Sequence, residues 1–169
     1  MSVTQLVLQD TAPTGRGGYA PTRPMVQSLV ELVPYLSRRL ARCRRDGEQM
    51  ALLWIELAPV PSPVADAAGT TAELLRTAGL RVRNRVRGTD EVVQVGEQGF
   101  AVLLPGAGGA EAALVALRLK QTLSGAYGLD SGQAHLAVAM GEAAYPETGL
   151  TGTELAEAAQ RSLALRQEA

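Results

Sequence analysis

The run MALLWIEL, residues 50–57, constrains the fold more than any other stretch. It is a short continuous apolar segment, consistent with a strand buried on both faces, and such a strand must be covered from above and below. The APVPSP segment after it ends the strand as an irregular loop, because proline can neither donate to a ladder nor continue a helix.

The flanking chain supplies the cover. Met25, Leu29, Leu32 or Val33, Leu36, Leu40 and Cys43 recur at helical spacing, with Arg38, Arg39, Arg42, Arg44 and Arg45 crowding the end and Asp46-Gly47 as the stop. Cations in a last helical turn favour the helix dipole, so a solvated face accounts for these arginines better than an anion patch does. A second helix is predicted over residues 70–86, with Leu74, Leu75, Ala78, Val82 and Val86 inward and Arg81, Arg83 and Arg85 mostly toward solvent. EVVQV and FAVLLP read as two strands joined by the hairpin-length loop GEQG. A third helix follows in GGAEAALVALRLKQTL. A strand lies between Gln133 and Tyr145, its small residues suiting close helix packing, and a last helix has Thr153 as N-cap. The order helix, strand, helix, hairpin, helix, strand, helix predicts an α/β sandwich: a ferredoxin-like arrangement with a central, mainly antiparallel sheet flanked by helices. The hairpin tip should project beside the end of MALLWIEL.

Composition narrows the function classes. The 169 residues suit one domain, placed at 24–169, after a Gly/Pro/Thr-rich leader at 1–23 that lacks periodicity and is expected to be flexible. A net charge of −1 demands neither nucleic acid nor a membrane surface as partner. Cys43 and His135 are each the sole residue of their type, so an intramolecular disulfide and a multi-cysteine metal site are excluded, and no Cys/His catalytic motif is recognisable. No apolar run approaches bilayer length and the start lacks a signal-like pattern, so a soluble, cytoplasmic protein is expected.

The stretches LARCRRDGEQMALLWIEL and RGTDEVVQVGEQGFAVLLPGA, with the order of elements from about residue 25 onward, resemble the GGDEF domains, which in active form are diguanylate cyclases of the nucleotidyl cyclase type. In that family an Arg-x-x-Asp step precedes a Gly-Gly-Asp/Glu-Glu-Phe turn by five residues. Arg87 and Asp90 keep that spacing to Gly96-Glu97-Gln98-Gly99-Phe100.

The resemblance implies that an active member holds divalent cations against the triphosphate of GTP with carboxylates from the first strand and the hairpin. Here Glu56 matches the first acid position and Ala58 occupies the second; Gln98 and Gly99 stand where the hairpin acids belong, and Glu97 where a glycine does. The family's Phe-Lys-x-x-Asn segment is replaced by PVPSPV, which has no lysine. The chain is therefore expected to be a degenerate GGDEF domain with no catalytic residues, no metal and no cofactor. The Arg-x-x-Asp step is, in the family, an inhibitory site for cyclic di-GMP. An arginine fork can donate to guanine O6 and N7, and a carboxylate can accept from its N1–H and N2–H. Arg87, Asp90 and, on the following helix, Arg118 are the expected ligand-binding residues, with Arg83 and Arg85 as phosphate neighbours.

Bland alternatives stand beside these. Arg87 and Asp90 could form a helix-end salt bridge of little energetic weight, Glu56 a capped or solvated carboxylate, His135 a partly buried strand residue, and Trp54 plain core. The functional expectation is a cyclic di-GMP receptor signalling to a protein partner, with a homodimer bridged by ligand also allowed by the resemblance. The alternative is a nucleotide-free interaction subunit of a larger assembly, such as a polysaccharide-export or motility complex. A residual cyclase or GTP-binding regulator using Glu56 and Glu97 is the third reading.

Overall fold

A computed structural model describes residues 24–168 of the chain; the leader expected at 1–23 lies outside the described residues. In chain order the elements are β1 (Met25–Val26), α1 (Leu29–Asp46), β2 (Met50–Pro59), α2 (Thr70–Arg85), β3 (Glu91–Val95), β4 (Gly99–Pro105), α3 (Gly109–Leu123), β5 (Tyr127–Leu129), β6 (Gly132–Ala134), β7 (Leu136–Tyr145) and α4 (Gly152–Glu168). The main sheet has strand order β1-β3-β4-β2-β7, and β5 pairs with β6 apart from it. Every pairing is antiparallel except β1 with β3.

The MALLWIEL segment lies where its composition requires. Residues from Met50 to Glu56 pair with β4 on one side and β7 on the other. The period of two then sorts its side chains. Leu53, Ile55 and Leu57 join Val92, Phe100, Val102 and Leu104 under α2 and α3, whereas Met50, Leu52 and Trp54 join Val93, Ala101 and Leu103 under α1 and α4. Full burial of each such Leu or Ile contributes about 1.5–3 kcal/mol, which fixes the register, since a slip of one residue would exchange the two cores.

Several expectations are corrected. The first helix does not start at Met25: Met25–Val26 form a strand whose flanking carbonyls at Pro24 and Val26 accept N–H groups of Gln94 and Gly96, and the helix begins after Ser28. Ala58 and Pro59 remain in β2, because β7 extends far enough to pair with them. The last helix is capped by Thr151, whose Oγ1 accepts the Glu154 N–H at 3.1 Å, not by Thr153. The hairpin β5–β6 has no counterpart among the expected elements. Close packing at β7 does occur. A Cβ on Gly141 would lie 2.0 Å from the Ala159 carbonyl oxygen, so α4 rests directly on the strand backbone.

The second helix's arginines are not simply solvent-facing. Arg81 donates to the carbonyls of Thr122 (3.3 Å), Gly125 (3.4 Å) and Ala126 (2.7 Å) and stacks on the Tyr127 ring at 3.7 Å. It thus satisfies carbonyls at the C-terminal end of α3, where a cation also meets the favourable end of the helix dipole. Burial pushes the Tyr127 phenol above its ordinary range, with Arg81 pulling the other way. Its stabilising contribution is present below pH 10 and is lost as alkali ionises the unfolded phenol. Arg81→Ala should lower unfolding free energy by about 1–2 kcal/mol, the lower part of the scale for hydrogen bonds from a charged donor, because its acceptors are half-buried or exposed; urea unfolding of the two proteins checks it.

Candidate functional site

The hairpin and the end of β2 meet as expected. Glu56 is in register with Gly99, and the Leu57 N–H donates to the Gln98 carbonyl at 2.8 Å. They line a cleft of about 630 Å³ that includes Trp54, Glu56, Ala58, Gln98, Gly99 and Gln160. The turn proper is Gly96-Glu97-Gln98, and Gly99 already belongs to β4, with Phe100 buried in the α2/α3 core.

Trp54 determines what this cleft can hold. It is two residues before Glu56 on the same strand face, and its Nε1 donates to Glu56 Oε1 at 3.2 Å. Its ring lies over Gly99, where an added Cβ would meet the indole at 2.7 Å and the Val95 carbonyl oxygen at 2.7 Å. The residues do not fit a divalent cation held by the carboxylate set of the family pattern. Glu56 is the one matching acid, already accepting from an indole; Ala58 and Gln98 carry no charge, and Gly99 has no side chain and no room for one. Among the described residues no three His, Cys, Asp or Glu groups converge as metal ligands.

At the opposite end of the sheet lies the Arg87–Asp90 turn, separated from Gly99 by the length of β4, roughly 20 Å at about 3.3 Å per residue. α2 ends at Arg85, and the chain reverses into β3 through a turn in which the Asp90 N–H donates to the Arg87 carbonyl at 3.0 Å. Asp90 Oδ2 accepts the Arg87 N–H at 2.7 Å, and Oδ1 faces Arg87 Nη2 at 3.4 Å. That Nη2 also donates to the Pro105 carbonyl at 3.0 Å. The Asp90 side chain is 3% exposed and that of Arg87 61%. The carboxylate therefore acts as a buried anchor, and the guanidinium as an outward-facing group fixed by one nitrogen.

Arg83 was expected as a phosphate neighbour. Instead it clasps the turn, Nη1 donating to the Asp90 carbonyl at 2.7 Å and Nη2 to the Arg87 carbonyl. Arg85 is exposed. Arg118 lies on the exposed side of α3, the helix packed against α2, and makes no polar contact with Arg87 or Asp90 among the described residues. The structure thus brings Arg87 and Asp90 together, with Arg118 on the neighbouring helix. The structural parts played by Arg83 and Trp54 were not expected. The i, i+4 spacing of Arg83 to Arg87 and the same-face spacing of Trp54 to Glu56 were the available signals.

The family model for the diguanylate cyclase GGDEF domain matches residues 30–168. The chain belongs to the GGDEF family. Among solved structures, the GGDEF domain of YfiN (TpbB) from Pseudomonas aeruginosa is 27% identical, with 83% of this chain and 89% of that one covered at a TM-score of 0.70. The GGDEF domain of FimX from the same organism is 19% identical, covering 88% and 92% at 0.68. The active GGEEF domain of a diguanylate cyclase from Vibrio cholerae is 13% identical, covering 84% and 91% at 0.68. The last two likenesses show the fold alone. No curated protein matches the chain. Among the described residues of this GGDEF domain, no helix is long and apolar enough to cross a membrane.

The Trp54–Gly99 contact makes a direct prediction. Gly99→Ala should cost about 1–3 kcal/mol in chemical denaturation, the scale of overpacking a filled site. Gly99→Ala combined with Trp54→Leu should cost less than the sum of the two single substitutions, because the clash with the ring is relieved.

Proposed function

We propose that this GGDEF domain makes no cyclic di-GMP but binds it, using Arg87, Asp90 and Arg118, and passes its occupancy to a protein partner. The observation that carries this reading is the build of the Arg87 turn. Asp90, Arg83 and the Pro105 carbonyl hold it, yet the guanidinium remains 61% exposed. Among the described residues Nε and Nη1 make no hydrogen bond. Each lies beside Nη2 on one of the two edges of the planar fork, so a guanine that accepts at O6 and N7 takes one free donor together with Nη2 and displaces the weak 3.4 Å contact of Nη2 to Asp90. Preorganisation of this kind lowers the entropic cost of capturing a base edge. Among the described residues Asp90 Oδ1 accepts only the long contact from Arg87, so a guanine that draws the guanidinium away would free a hydrogen-bond acceptor for its own N1–H and N2–H. Arg118 supplies a second cation for a ligand that carries two phosphates.

The inactive half of the reading rests on the other end of the sheet, where Glu56 is the one acid that lines the cleft among the described residues and Trp54 occupies the space that a side chain at position 99 would need. GTP with magnesium should yield no cyclic di-GMP on prolonged incubation; measurable product would overturn this half.

Calorimetric titration with cyclic di-GMP tests the binding half. Saturable heat is expected, and Arg87→Ala should weaken affinity at least tenfold, about 1.4 kcal/mol. Arg118→Ala should weaken it less. Absence of heat from the wild-type protein would sink the proposal. It would favour the interaction-subunit reading, in which the Arg87 contacts with Asp90 and Pro105 serve the turn alone.

A further inference from the structure

β7 forms one margin of the main sheet, and its outer edge is capped over part of its length only. The N–H groups of Glu142 and Ala144 point away from β2, donating to Ser162 Oγ at 3.1 Å and Thr148 Oγ1 at 2.8 Å; the Ala144 carbonyl accepts the Thr148 N–H at 2.8 Å. The ladder with β2 is unbroken from Leu136 to Tyr145. The alternation of an antiparallel strand therefore turns the N–H and C=O of Val138 and Met140 the same way. No described residue bonds to these groups.

They open into a groove of about 450 Å³ between the helices on the two sheet faces. Ala113, Ala116, Leu117 and Lys120 of α3 form one wall, and Arg166 and Gln167 of α4 the other. This lining holds two cations and no acid, and Arg166 already pairs with Glu142 at 2.8 Å, so Lys120 remains to meet an incoming carboxylate. Leu117 on one rim is 56% exposed, and Leu165, which lines the adjoining stretch of the groove, is 68% exposed.

We propose that this uncapped edge is a docking slot for an extended, acidic segment of a partner protein, which adds a strand to β7. Edge amides without partners are templates for main-chain pairing. The small residues Ala113 and Ala116 leave room for a backbone, the exposed leucines take alternate apolar side chains, and Lys120 selects for acid and against a basic segment. The slot would serve as the partner surface of the function proposed above, yet it is built from residues remote from Arg87 and stands whether or not that site takes its ligand.

Amide hydrogen exchange on the full chain tests it, with a blocked peptide of about seven residues alternating valine and glutamate as probe. Exchange at Val138 and Met140 should slow about tenfold at saturation, and the Glu142 amide should change little. Lys120→Glu should weaken binding about tenfold. N-methylation of the peptide at alternate amides should abolish protection in one of the two phases without touching the protein's fold. Arg87→Ala protein should bind the peptide as wild type does, which separates this test from that of cyclic di-GMP. Unchanged exchange at millimolar peptide, or equal protection by a valine–lysine peptide, would overturn the proposal. So would slowing that follows protein concentration without any peptide, which would assign the edge to a second copy of the chain.

Discussion

The double pairing of β2 sets the positions of both ends of the molecule. Because Met50 to Glu56 are hydrogen-bonded to β4 and β7 at once and covered on both faces, the strand can neither slide nor tilt without breaking two ladders and two cores. Its far end therefore delivers Trp54 and Glu56 against the hairpin, and its near end lies by the end of β4, where Pro105 supplies a carbonyl to Arg87. The two ends can change independently, since a rigid sheet lies between them. On the proposed reading, that independence lets Ala58, Gln98 and Gly99 replace acids of the family pattern at one end while Arg87 and Asp90 keep the Arg-x-x-Asp spacing at the other.

Much of the fold was legible because its strongest signals are periodic. The continuous apolar run, the helical stripe of Leu29, Leu32, Leu36 and Leu40, and the hairpin pattern each needed one kind of burial, and each found it. What was not legible depended on partners distant in sequence. Met25–Val26 is a strand because β3 leaves an open edge beside it, a fact absent from residues 25–43 themselves. Arg81 reads as a surface residue in its helix, and only the arrival of the α3 terminus and Tyr127 makes it a clamp. Thr151 takes the capping place expected of Thr153, two residues away, the ordinary uncertainty of a helix start.

The candidate site was legible in its letters but not in its physics. Spacing pointed to Arg87 and Asp90 as a pair, and they are one; it did not say that the carboxylate would be buried beneath the guanidinium, or that Arg83 would fasten the turn from the preceding helical turn. On the proposed reading this makes Arg87 the group offered to a ligand and Asp90 the group that aims it. At the other end, Gln98 and Gly99 were legible as departures from the family's acids, whereas the indole over Gly99 was not: Trp54 is core, as expected, and its ring also covers that glycine. Restoring an acid at position 99 alone would therefore meet an aromatic wall.

The most direct measurement of the central claim is a map of backbone amide shifts in the full chain as cyclic di-GMP is added, with and without magnesium. The account predicts magnesium-independent perturbation centred on Arg87 to Asp90 and reaching Arg118, with Glu56 and Gln98 to Gly99 silent. Perturbation centred on the hairpin tip, or appearing only with magnesium, would contradict it.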